Sequence, residues 1–109
     1  MARDDVEAAY FALLRARDDV SDLQRYQEYL EDEARRLRRS TSEADALSTQ
    51  APPRLRRRLL HTDAPLAEAV RGRLEVIADE VRWVGARLDE AHAHVAACEA
   101  EHDRLKRLA

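Results

Sequence analysis

Residues 70–105 read VRGRLEVIADEVRWVGARLDEAHAHVAACEAEHDRL. Within them Val70, Leu74, Ile77, Val81, Val84, Leu88, Ala91, Val95, Cys98, His102 and Leu105 follow one another in alternating steps of four and three. An α-helix returns to the same face every 3.6 residues, so this spacing lines all of them along one stripe. The repeat is a heptad, with Leu74, Val81, Leu88, Val95 and His102 at its a positions. The first half of the chain carries a matching series: Val6, Ala9, Leu13, Ala16, Val20, Leu23, Gln27, Leu30, Ala34, Leu37, Thr41 and Ala44. Each series spans about five heptads and predicts a helix roughly 60 Å long.

Between the two series lies the one stretch that has to turn. Ser40-Thr41-Ser42 weakens the first helix, and Pro52-Pro53 has no place inside one. Arg54–Leu60 reads as a short helix with Leu55, Leu59 and Leu60 on one side. Thr62 or Asp63 then caps a new helix start, with Pro65 in its first turn. The spacing therefore predicts an all-α chain, an antiparallel two-helix coiled-coil hairpin forming a single domain over 1–109. Its helices cover about 4–47 and about 64–108. The connection is expected over 48–63, with a short basic helix at 54–61 inside it. Folding back on this turn makes partner numbers sum to about 111, which sets Leu13 near Cys98 and Gln27 near Val84.

Composition agrees. The 109 residues include 20 Ala and 14 Leu but only 2 Gly and 3 Pro, too few for the turns of a sandwich or barrel. A single Cys excludes an intrachain disulfide framework. No apolar run approaches the roughly 20 residues of a membrane span. Met1–Asp5 is too acidic and polar for a signal peptide, so a cytoplasmic location is expected, with no membrane role.

The net charge of −3 hides an asymmetry. Residues 1–33 carry 4 basic and 10 acidic groups, and residues 62–109 carry 7 and 10. Residues 34–61 carry 8 Arg against Glu43 and Asp45. A +6 corner thus sits between stems of −6 and −3. Its arginines, Arg54, Arg56, Arg57 and Arg58 above all, suit phosphates, nucleic acid or an acidic protein surface. The segment contains no aromatic residue to interleave with the charge, which a nucleic-acid binder usually has.

The seam is thin. Ala9, Ala16, Ala34, Ala44 and Ala91 stand where large residues usually pack. At about 25 cal/mol per Å², alanines contribute little burial, and a short chain then needs a further staple. A second stripe of Trp83, Ala86, Ala93, Ala97 and Ala100 lies off the seam. A homodimer or other homo-oligomer, or a protein partner, is expected to supply the missing burial.

Three groups of residues are candidates for chemistry. Tyr26 and Tyr29 fall at g and c of the first helix and Trp83 at c of the second, with Arg25 and Arg82 at the same level. Exposed aromatics beside Arg are the makings of a protein hot spot, and they also suit a stacked base. His94, Cys98 and His102 recur every four residues and are the candidates for a metal, although a closed zinc site wants four ligands. The basic corner is the third. No Gly-rich phosphate loop or nucleophilic triad is present, so no catalytic residue and no cofactor is expected.

The chain also resembles, weakly, the RsiG-like anti-sigma factors of actinobacteria, helical hairpins with a basic, proline-containing connection. That family carries E-x3-S-x2-R-x3-Q-x3-D on a helix. Glu75, Asp79, Arg82, Ala86 and Glu90 follow the spacing here, and so do Asp18, Asp22, Arg25, Tyr29 and Glu33. Only Glu75 and the two arginines match, and the Ser and Gln positions differ in both runs. The resemblance implies a regulator that holds a sigma factor in response to cyclic di-GMP. Asp22 and Asp79 at the Ser positions would repel that nucleotide's phosphates. The residues by themselves point to a non-enzymatic interaction or regulatory hairpin, and the corner leaves nucleic-acid binding as a further alternative.

Overall fold

The computed structural model describes residues 2–109, with side chains from Arg3 onward. It consists of two long helices, α1 (Ala2–Gln50) and α2 (Pro53–Leu108), packed against each other as an all-α helical hairpin. No strand occurs among the described residues.

The turn is tighter than the sequence predicts. Ser40-Thr41-Ser42 does not end α1: Thr41 and Thr49 donate their hydroxyls back to the carbonyls of Leu37 and Asp45, and the helix continues. The expected connection over 48–63 shrinks to Ala51 and Pro52. Pro53 opens α2 at its first helical position, where a missing N–H costs nothing. The Arg56 amide bonds the Pro52 carbonyl at 2.8 Å, closing the first turn. Residues 54–61 are helical, but as the start of α2 rather than a separate short helix. Pro65 consequently lies inside a helix instead of at its start. Thr62 caps nothing, because its hydroxyl donates back to the carbonyls of Arg58 and Leu59. Asp63 accepts a 3.5 Å hydrogen bond from Ser48 across the turn.

The chain divides into two compact units. The first comprises residues up to Gln27 together with Arg82–Ala109. Its core is Leu13, Ala16 and Val20 from α1 with Val84 and Leu88 from α2, and Val84 is fully enclosed. Arg17 pairs with Glu99 at 3.4 Å, and Tyr10 meets the His102 ring at 5.6 Å. Partner numbers fall along α2 as they rise along α1, so the helices run antiparallel. Ala9, Ala12, Ala97 and Cys98 line one small groove, in line with the expected register near Cys98.

The second unit comprises Glu28–Val81. Among the described residues, its buried side chains are Leu30, Ala34 and Ile77. Glu33 pairs with Arg73 and Ser48 with Asp63, which again gives an antiparallel register. All the α2 seam residues from Val70 to Leu105 are buried or half-buried, as are those of α1 from Val6 to Thr41. Ala44 departs from the expectation and is exposed. The heptads therefore position the helices, but the seam narrows toward the turn.

Charges at the helix ends follow the macrodipole. Asp4 and Asp5 occupy the first turn of α1, and Lys106 and Arg107 the last turn of α2. The last turn of α1 has no basic residue of its own.

Candidate interaction surfaces

Arg56 supplies that missing charge. Its Nη2 donates to the carbonyls of Thr49 at 2.9 Å and Ala51 at 3.0 Å. The Thr49 carbonyl belongs to the last turn of α1, where no intrahelical amide reaches it, and the Ala51 carbonyl to the connection just beyond. Arg56 is thus a cap reaching across the turn from α2. Of the four arginines expected to present a basic corner, Arg56 thus has a structural task. Arg54, Arg57 and Arg58 are exposed beside it. Further along the corner, Arg35 is paired with Asp32, one turn back on α1.

The aromatic residues fall in both units. In the first, Trp83 is 52% exposed on α2, and the Arg87 guanidinium lies 6.0 Å from its ring centroid. Arg87, rather than Arg82, is the arginine that meets the indole, and it also donates to Glu90 at 2.9 Å. A spacing of four along the helix carries this contact, a signal already present in the sequence. Arg82 is exposed, and Tyr26 is at the margin of exposure. Arg25 lies 3.8 Å from Asp22, one turn back. In the second unit, Tyr29 is 54% exposed. Gln27 occupies its seam position half-buried.

An open groove of about 470 Å³ in the first unit runs between Asp19, Asp22 and Leu23 of α1 and Arg87, Glu90 and His94 of α2. Its lining mixes both signs of charge, which suits a polar protein surface better than an apolar small molecule.

The candidate metal residues do not converge. His94 Nε2 and Cys98 Sγ are 3.7 Å apart on successive turns, but His102 packs its ring against Tyr10. Among the described residues, no group of three His, Cys, Asp or Glu side chains is placed to hold a metal ion. Near this end Arg104 forks onto Glu101, which holds the Glu101 carboxyl below its ordinary range.

Among the described residues, no helix is long and apolar enough to cross a membrane. No known family model matches the chain, and neither a curated protein nor a solved structure does. What the fold defines is therefore a class, the all-α helical hairpin, and the surface has to carry the functional reading.

Proposed function

We propose that this chain is a non-enzymatic, cytoplasmic interaction hairpin that self-associates and docks a protein partner. The observation that supports it best is Trp83, a large aromatic side chain left half in solvent with Arg87 against its ring. Trp and Arg dominate protein hot spots because they desolvate a large area while keeping a polar handle. The narrow core of small and medium side chains supports the same reading, since small cores of this kind gain stability from association. The test is a photo-crosslinking residue in place of Trp83 in the native cell. One or a few discrete protein adducts are expected. Their absence, with the hairpin folded, contradicts the docking role.

A second reading is a cyclic di-GMP-responsive, anti-sigma-like regulator with a sigma factor as partner. The exposure of Arg25 and Arg82 in the first unit favours it. Asp22 beside Arg25 opposes it, because a carboxylate there competes with a phosphate for the same guanidinium. Nucleic-acid binding through Arg54, Arg57 and Arg58 ranks below both. It predicts binding that weakens steeply with salt.

A further inference from the structure

Within the second unit, the exposed large apolar side chains are sorted by heptad position. They are Tyr29, Leu47, Leu55, Leu60, Leu66 and Val76. In the register defined by the seam, Tyr29, Leu55 and Val76 fall at c, and Leu47 and Leu66 at g. Only Leu60, beside the turn, falls elsewhere. The g and c columns of a helix adjoin each other and flank the d side of the seam. Arg73 and Glu33 are both g residues, and their ion pair puts the g columns of the two helices on the same side of the unit. One face therefore gathers five large apolar residues, between 49% and 69% exposed. Among the described residues, the b, e and f columns of this unit carry none.

Charge along the same unit says what covers that face. Ser48 meets Asp63 and Glu33 meets Arg73, so residues 34–50 of α1 lie beside 53–77 of α2. Together these carry ten Arg against Glu43, Asp45, Asp63, Glu68 and Glu75, a balance of +5. The far end of the unit, 28–33 with 78–81, carries six acidic groups and no basic one, a balance of −6. The unit is basic at one end and acidic at the other, and so complementary to itself reversed. A parallel neighbour would set −6 against −6, whereas an antiparallel one sets the −6 end of each copy against the basic portion of the other.

We propose that a second copy of this chain docks antiparallel on the g and c face of residues 28–81. The contact is two-fold: the same patch meets itself, the turn of each copy lying on the acidic stem of the other. The proposal rests on the reading of the chain as a self-associating hairpin and adds the face and the direction.

Cysteine cross-linking tests it, starting from a Cys98→Ser chain. Ala46→Cys marks the turn end and Asp32→Cys the stem end of the same α1 side. A short bis-maleimide is expected to join the two variants when mixed, and neither to itself. Cross-links between two Ala46→Cys chains mean a parallel dimer and overturn the arrangement. Val76 is exposed, so Val76→Arg spares the monomer's core, and it is expected to weaken the dimer by about tenfold or more. Ala93→Arg, on the alanine stripe of the first unit, is expected to leave the dimer unchanged. The reverse pattern also overturns the face while leaving self-association intact. A monomer at about 100 µM removes both the arrangement and the self-association it rests on.

Discussion

Arg73 donates both Nε and Nη2 to a single oxygen of Glu33, at 2.9 and 2.8 Å, and so ties α2 to α1. The pair is lopsided. The Glu33 side chain is 17% exposed and the Arg73 side chain 56%, and Glu33 Oε2 is buried without a hydrogen-bond partner among the described residues. Removing each partner therefore has a different cost. Arg73→Ala leaves a mostly buried carboxylate without its guanidinium and is expected to destabilise by about 1–3 kcal/mol. Glu33→Ala leaves an arginine that solvent already reaches, and is expected to cost less than about 1 kcal/mol. Urea titrations of the two variants compare them directly, and equal losses would contradict this account.

The seam predicts a second contrast. Leu88→Ala and Ile77→Ala each empty a buried position and are expected to cost about 2–5 kcal/mol. Gln27 sits half-buried at an a position, where a polar residue sets register at the expense of stability. Gln27→Leu is expected to raise the thermal midpoint. A fall would mean that the amide has a partner worth more than the apolar contact.

Arg56 is expected to behave unlike its neighbours. Arg56→Ala strips the Thr49 and Ala51 carbonyls of their donor and should cost about 1 kcal/mol. Amide exchange over residues 45–51 should quicken at the same time. Arg57→Ala, at an exposed position, should stay within about 0.5 kcal/mol of the parent. Equal effects would remove the capping role.

Pro65 interrupts the hydrogen-bond ladder of α2 at the His61 carbonyl. Exchange is expected to be fast in this turn of α2. Pro65→Ala should slow it and stabilise by up to about 3 kcal/mol, the helix penalty of proline. No change in exchange would mean that the turn is held by other contacts.

Calorimetry with cyclic di-GMP separates the two functional readings. With Asp22 beside Arg25, no heat is expected from the parent chain. A saturable signal would favour the regulatory reading and displace the simpler one.

Much of this fold was legible in the sequence because one signal dominated it. The steps of three and four mark the seam residues that are buried or half-buried, from Val6 to Thr41 and from Val70 to Leu105. The turn was harder to read. A proline pair reads as a long break, yet Pro53 costs nothing at the first position of a helix, and two residues suffice to reverse the chain. Thr62 and Asp63 resemble a cap in sequence, but a helix already under way turns the threonine hydroxyl back onto its own carbonyls. The Arg56 cap has no linear signature, because its acceptors become neighbours only once the turn is made. Likewise, heptad letters give the columns of Tyr29, Leu47 and Val76. That those columns share a side followed from the Glu33–Arg73 pair.

The central claim is that this hairpin associates with itself. Sedimentation equilibrium of the intact chain tests it most directly, because the mass it returns does not depend on shape. The account predicts twice the chain mass of 12.5 kDa at micromolar concentration and low salt. It also predicts a shift toward 12.5 kDa as salt screens the complementary ends. A mass that stays at 12.5 kDa across concentration and ionic strength contradicts it.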